Sequence, residues 1–460
     1  MPLSLKYLQA ALIESGFETI VLTQKDKTAE EFIQEIHSYS PTVVGATATT
    51  CELPLTAQIM KALKEKNKQV ATIVGGYHVS AFPESIDPKQ CPSDTNPSGI
   101  DFLMLGECEK SFAEFVKSVE SGKIDHHING LAFLEEGKVK VNLPLERITN
   151  LDSVPSPKWD EEELKDNDFD GMISRKNGKN GFTAAIVSER GCPFGCSFCS
   201  TQTVYGRQVQ KRSISNLASE IESLVKNQNV DMIVDYAPTG NLDSNRIHEF
   251  CEEIRKKGLE KTFSMYALWR LESPYGQMMV HDSAVEDLTK TVWCFKAGFG
   301  IEALAPNDAK FLGKTHSLEN LFHASEIFDQ NGALLRGFYM ITPETDWNSI
   351  QNCASSKSVA LFDDLRVTYS TPFPGTLLYE QNKANLITQN WGEFNCEQPV
   401  LKSKVLTSEQ LMRAKNEILQ GFLLNPYRKQ RIRQKTAQYP SLANAFEEYE
   451  TKMKNFGFKT

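Results

Sequence analysis

The chain has 460 residues, 40% of them hydrophobic, with ten cysteines and a formal net charge of -9. It is long enough to bury more than one core, its acidic balance argues against a broad polyanion-binding surface, and no apolar run approaches the roughly 18 residues that span a bilayer. Cysteine is too sparse for a disulfide scaffold and no charged-then-apolar leader opens the sequence, so the expectation is a globular cytoplasmic protein with reduced thiols, whose partners include neither nucleic acid nor a membrane.

In chain order, residues 1–142 alternate helical patterns with β-branched runs: "LKYLQAALIESG", "ETIVLT", "AEEFIQEIHSY", "TVVGAT", "LTAQIMKALKEK", "VATIVGG", "IDFLMLG" and "EKSFAEFVKSV". That alternation predicts an open, doubly wound α/β sheet of Rossmann type, whose ligands sit beyond the carboxyl ends of the strands. Three segments fall there: "GATATT" with Thr47 and Thr49, "GGYHVSAFPES" with Gly75, Gly76, Tyr77 and His78, and "GECEKSF" with Gly106 and Glu107. The Gly75-Gly76 pair either lets backbone approach a bulky ligand or merely closes a strand. A Pro-rich, acidic linker at 143–180 can wrap a surface but not build a core. From 181 to 384 at least six further βα units follow, which predicts a partial (β/α)6 barrel of TIM type with its site at the carboxyl ends of the strands. Residues 385–460 read as a helical carboxyl-terminal region, and its basic run "YRKQRIRQK" (427–435) reads as a solvated helix face rather than a nucleic-acid arm.

The chemistry is concentrated in "ERGCPFGCSFCS", where Cys192, Cys196 and Cys199 follow the first barrel strand. A zinc site needs a fourth Cys or His close by, and the next downstream histidine is His248. An iron-sulfur cube on three thiolates keeps one iron open for a small molecule, whereas electron-transfer clusters are usually closed by four. Three unliganded core cysteines are the bland alternative, against which the loop residues Pro193, Gly195 and Phe198 speak.

"CPFGCSFC" resembles the signature of radical S-adenosylmethionine (SAM) enzymes, in which a 4Fe-4S cluster binds SAM and cleaves it reductively to a 5'-deoxyadenosyl radical. "GFGIEA" (298–303), "LGKTHSLEN" (312–320), "RGFYMITPETDW" (336–347) and "YSTPFPGTLLYE" (369–380) resemble further elements of that family. The amino-terminal region is similar to its cobalamin-binding domain, through the opening "PLSLKYLQAALIESGFE", "IVGGYHVSAFPE" and "FLMLGECEKSF". Two departures stand out. The D-x-H-x-x-G motif, whose His ligates cobalt, is absent, and "DYAPTGNLDSNR" keeps Asp235 and Arg246 of a relatives' pattern but inserts Pro238-Thr239-Gly240.

The resemblance implies Cys192, Cys196 and Cys199 as cluster ligands, and Phe198, Asp235, Arg246, Glu302 and Arg336 as SAM contacts. It also implies Thr47, Thr49, Gly75, Gly76, Tyr77, His78, Gly106 and Glu107 as cobalamin contacts, with cobalamin held without a protein histidine ligand. The activity it implies is C-methylation of an unactivated carbon of a small-molecule substrate, with an electron donor such as flavodoxin or ferredoxin. Alternatives are a cobalamin-assisted cyclase or oxidative enzyme without methyl transfer, and a tRNA methylthiotransferase. The last would need three more cluster cysteines, for which only Cys51, Cys91 and Cys108 are available, in surroundings unlike that class.

Overall fold

The computed structural model describes residues 2–145, 147–166, 182–314 and 316–459, so residues 167–180 of the expected linker and Gly181 at the expected start of the barrel lie outside the described residues. The chain folds as two compact units, Met1–Lys158 with Gly191–Gln210 and Thr371–Leu401, and Trp159–Arg190 with Lys211–Ser370 and Lys402–Thr460.

In the first unit β1 (Val43–Thr47), β2 (Ala71–Gly75) and β3 (Phe102–Met104) pair in parallel, and β4 (Leu131–Glu135) and β5 (Lys138–Val141) extend the sheet antiparallel. Side chains alternate across the sheet: Val74, Leu103 and Ala132 enter one core while Ile73, Phe102, Met104 and Phe133 enter another on the opposite face. Helices therefore cover both faces, as a doubly wound sheet requires. The antiparallel hairpin escaped the βα reading. Its turn is Glu136-Gly137, with φ of 51° and 72°, the left-handed pair that matches the twist of a two-residue hairpin. The run "ETIVLT", expected as a strand, carries no strand. The helix Ala29–Ser38 that follows opens with a capping box of Thr28 and Glu31.

Residues 385–401, expected as part of a helical region, return to the first core instead. Trp391, Phe394 and Val400 are buried there with Leu53, Ala57 and Met60, because burying three large apolar groups outweighs continuing a polar helix. The linker also contributes more than a wrap, since Leu151, Val154, Trp159 and Leu164 are buried.

The second unit holds β6 (Phe182–Ile186), β7 (Glu189–Arg190), β9 (Val230–Asp235), β10 (Ser264–Trp269), β11 (Phe295–Glu302), β12 (Leu334–Ile341) and β13 (Asp364–Tyr369), and the short β8 (Gln210–Lys211) falls where the chain passes from the first unit to the second. Its six-stranded sheet runs β13-β12-β11-β10-β9-β6 with every neighbour parallel. Helices Ile214–Asn227, Ser244–Lys256, Asp282–Thr291, Leu318–Gln330 and Trp347–Ser355 make the crossovers. Sequential order with a helix between strands is the half-barrel expected from the βα units. On β12 the burial alternates, with Leu335, Gly337, Tyr339 and Ile341 buried and Arg336, Phe338 and Met340 partly accessible. One face of the sheet thus packs helices and the other keeps room for a ligand.

The basic run is not a solvated face. Arg428, Arg431 and Lys435 are buried, and their spacing puts them on one side of the helix Pro426–Gln438. Arg431 and Lys435 reach Asp363 at 2.6 and 2.9 Å and Asp329 at 2.6 and 2.9 Å. The Arg428 guanidinium donates to the Asp363 carbonyl at 3.0 Å and stacks over Phe422 at 4.4 Å. Asp363 also accepts the Leu335 amide at 2.7 Å, so one carboxylate joins the carboxyl-terminal helix to the start of two barrel strands. Removing one partner of a buried charge set leaves the others uncompensated. Asp363→Ala is expected to lose about 3–5 kcal/mol of stability in denaturant unfolding, whereas the exposed Arg433→Ala should stay within about 0.5 kcal/mol of the parent.

Candidate active site

The cysteine loop belongs to the first unit. Its backbone is closed by Cys192 N donating to the Gly206 carbonyl at 3.3 Å and Cys199 N to the Cys196 carbonyl at 3.2 Å. The Gln202 amide donates to the Phe194 carbonyl, and Leu378 N to the Ser197 carbonyl at 2.8 Å. Gly191 has φ of +90°, and a Cβ there would lie 2.2 Å from the Gln208 carbonyl oxygen, so only glycine permits this closure. The three thiols are unbridged and half-buried, as is Phe198. Burial raises the pKa of Cys199, the Thr201 hydroxyl opposes the rise, and neighbouring Cys196 and Cys192 add to it. Among the described residues no group of three His, Cys, Asp or Glu is gathered for a metal ion. Three thiols on one loop are the soft donor set that iron-sulfur clusters take.

The residues expected against cobalamin meet at the carboxyl ends of β1, β2 and β3. Thr47 pairs with Gly75 across β1 and β2, Ala48 N donates to the Gly75 carbonyl at 3.0 Å, and Gly106 N donates to Ser80 Oγ at 3.0 Å. Gly76, with φ of +105°, would put a Cβ 2.7 Å from the Ala48 carbonyl oxygen, so the chain's own packing demands this glycine. Gly75 is different, since a Cβ there would meet only ordinary contacts of 3.4 Å or more; Gly106 has as much space, but its φ of +77° still calls for glycine. With the exposed Thr49 and Tyr77 they leave an open shelf that suits a flat macrocycle. Thr49 also caps the following helix, its N–H and hydroxyl both donating to Glu52. Glu107 is buried and turned inward, accepting from Ile148 N at 3.2 Å and pairing with Arg147 at 3.4 Å.

His78 lies beneath the shelf, its ring 4.5 Å from that of Trp391 and its Nδ1 3.1 Å from Thr50 Oγ1. Its Nε2 is buried without a partner, and burial pushes the pKa down to about 4. In the same unit the Tyr77 and Tyr205 rings meet edge to face at 6.3 Å, and Gly375 of "TPFPGT" lies against Ala81 so closely that a Cβ would come within 2.6 Å. Shelf, cysteine loop and this distant segment thus form one structure. Cys91 donates to the Ser85 carbonyl at 3.2 Å, and burial pushes its thiol up to about 12, the behaviour of a core cysteine rather than a ligand.

In the second unit the expected SAM contacts are less alike than the sequence suggests. Asp235 is fully enclosed, accepting from Ser188 N at 3.0 Å, from the Ser188 hydroxyl and from Ala237 N at 3.0 Å. Burial raises its pKa while those bonds oppose the rise, and it acts as a brace at the end of β9. Arg246 pairs with Glu189 at 3.0 Å and donates to the Arg212 carbonyl at 2.6 Å. Arg336 grips Asp364 through two bonds of 2.6 and 2.8 Å, and Lys296 closes on the same carboxylate.

Glu302 is the exception. It sits where the β11–β12 register slips and has φ of +54°, strain that a non-glycine residue keeps only when its surroundings hold it. Lys314 holds it, 3.1 Å from Oε1 and donating to the Gly300 carbonyl at 2.7 Å. Sequence reading missed Lys314 as a partner, although it lies in the family-like "LGKTHSLEN". It also missed Asn241, whose amide braces the Arg270 and Met279 carbonyls at 2.8 and 3.0 Å, and Asp308, which accepts from Thr342 and Thr345 of "ITPET". His316 has both ring nitrogens buried. Burial, then the charges of Lys314 and Arg270, push its pKa down to about 3.

Residues 1–116 match the family model described as B12 binding domain. An uncharacterised methyltransferase of Pyrococcus horikoshii is 27% identical over 92% of this chain and 88% of its own length. The anaerobic magnesium-protoporphyrin IX monomethyl ester cyclase of Rubrivivax gelatinosus is 24% identical over 94% of this chain and 77% of its own. Among solved structures, the radical SAM methyltransferase TsrM from Kitasatospora setae, with cobalamin and a [4Fe-4S] cluster bound, superposes with a TM-score of 0.64 at 17% identity, over 90% of this chain and 82% of that one. No helix among the described residues is long and apolar enough to cross a membrane.

The neutral histidines make stability pH-dependent. A folded pKa of about 4 for His78 lies below the unfolded value near 6.5, so the unfolded chain binds more protons in that window and stability falls as pH drops from 6.5 to 4. The single-site effect is on the order of 3 kcal/mol, and His316 adds in the same direction. Thermal melts across that range should show a flatter decline in His78→Gln than in the parent.

Proposed function

We propose that this chain, which belongs to the radical SAM enzymes carrying a B12-binding domain, methylates an unactivated carbon of a small-molecule substrate. The observation that carries the reading lies within the first unit, where a loop of three half-buried thiols packs against the strand-end shelf through Tyr77 and Tyr205. Cys192, Cys196 and Cys199 would hold a 4Fe-4S cluster, and Gly75, Tyr77, Thr49 and Gly106 would line cobalamin. Together these groups supply one-electron cleavage of SAM to a 5'-deoxyadenosyl radical, hydrogen abstraction from carbon, and methyl transfer through cobalamin.

The protein's own part is orientation and the exclusion of water. Glu302 has Oε1 paired with Lys314, and its carboxylate would accept from the SAM ammonium. His78, neutral and packed against Phe82 and Trp391, supports the shelf from below, and cobalamin would be held without a protein histidine ligand. Arg336 is held by Asp364 and orients the accessible face of β12. An acidic electron carrier, flavodoxin or ferredoxin, completes the system. The cyclase relative favours a second reading, radical chemistry with cobalamin but without methyl transfer.

The test is to reconstitute purified protein with iron, sulfide and cobalamin and to follow products from SAM and candidate substrates. Equal formation of 5'-deoxyadenosine, S-adenosylhomocysteine and methylated product supports the methyltransferase. 5'-Deoxyadenosine with altered but unmethylated product selects the second reading.

Ala at Cys192, Cys196 or Cys199 is expected to remove the broad iron-sulfur absorbance and SAM cleavage, while Cys251→Ala, a change in a buried thiol, keeps both. Glu302→Gln is expected to keep the cluster and weaken SAM binding by about 1.5–3 kcal/mol, the contribution of a hydrogen bond between charged groups; calorimetric titration with SAM reads it directly.

A further inference from the structure

The cysteine loop has one exposed edge. Pro193, Gly195, Arg207 and Gln208 are exposed while all three cysteines are half-buried, so Pro193 and Gly195 are exposed backbone directly bonded to Cys192 and Cys196. Arg207 does not extend freely from this edge. Its Nε donates to Gln202 Oε1 at 3.3 Å, and the Gln202 amide in turn donates to the Phe194 carbonyl. The guanidinium therefore lies on Gly195, where a Cβ would stand 2.8 Å from Nη2. Glycine immediately before the second cysteine lets the cation lie flat on the backbone.

Its electrostatic setting is unusual. Arg147, on the other side of Gly206, has the buried carboxylate of Glu107 at 3.4 Å, but among the described residues no carboxylate lies within ion-pair distance of Arg207. The chain as a whole carries a formal charge of -9, which repels an acidic protein. At physiological salt, screening over about 8 Å makes the charges at a contact decide encounter. A guanidinium held over the loop, with no carboxylate partner among the described residues, is thus a local attractive point on a chain of negative net charge.

We propose that Arg207, with Pro193 and Gly195, forms the docking port for an acidic one-electron donor protein. The inference rests on the iron-sulfur reading of the loop. In the step it serves, the reduced donor loses one electron and the iron-sulfur group gains it; no bond forms or breaks in the port. Arg207 is a docking residue and neither ligates iron nor touches SAM.

The experiment follows the cluster absorbance of reconstituted protein mixed in stopped flow with a reduced bacterial flavodoxin, and in parallel with reduced methyl viologen, a small cation that needs no docking surface. Arg207→Glu is expected to slow reduction by flavodoxin about tenfold or more and to flatten its dependence on salt. Arg207→Lys keeps most of the parent rate, and methyl viologen reduces all three proteins at similar rates. Binding of oxidised flavodoxin, measured by calorimetry, should weaken in the same order. An unchanged flavodoxin rate and salt dependence in Arg207→Glu overturns the port, and so does equal slowing with both reductants, which would place the effect on the iron-sulfur group itself. SAM cleavage driven by methyl viologen reports separately on the proposed activity. Cleavage that persists while flavodoxin binding ignores Arg207→Glu overturns the port alone, and absent cleavage with charge-sensitive flavodoxin binding overturns the activity alone.

Discussion

Parallel strand pairing is the constraint on which both units depend. A parallel pair cannot be joined by a tight turn, so each strand must be followed by a crossover, and every crossover leaves its strand at the same end of the sheet. In the first unit this gathers the segments after β1, β2 and β3 into one shelf. In the second it brings the turns after successive strands together, including the slip that presents Glu302. Functional residues far apart in sequence become neighbours because strand direction allows no other exit.

Parallel sheets also bury polar groups, and this protein answers with charges placed in sets. Asp363 and Asp364 are consecutive, buried and turned to different partners: the first meets Arg431 and Lys435 of the carboxyl-terminal helix, the second Lys296 and Arg336 of the sheet. Adjacent residues on a strand point to opposite faces, so one carboxylate secures the outer layer and the other the accessible face. Such sets are weak evidence for net stability. Their consequence is registry, since each cation has one place where its charge is answered.

Four of the residues expected to touch ligands turn out to touch the protein first. Gly76 answers Ala48, Glu107 answers Arg147, Asp235 answers Ser188 and Arg246 answers Glu189. Each sits in a motif at a strand end, where a tight turn and a ligand contact make the same demands on residue type. Lys314, Asn241 and Asp308 show the converse, because their partners lie across loops and leave no local pattern.

The sequence by itself determined the three-thiol loop, the βα order of the half-barrel and the α/β character of the amino-terminal region, because local spacing and hydrophobic period encode those directly; the B12-type reading of that region rested on the resemblance of its motifs. Tertiary structure alone decided that 371–401 returns to the first core, that "ETIVLT" is no strand while an antiparallel hairpin completes the sheet, and that the basic run is buried. The physical reason is common to all three: an arginine every third or fourth residue looks the same whether it faces water or Asp363, and a run of apolar residues does not state which core it enters. Burial and pairing depend on partners tens to hundreds of residues away, and only the folded chain brings those together.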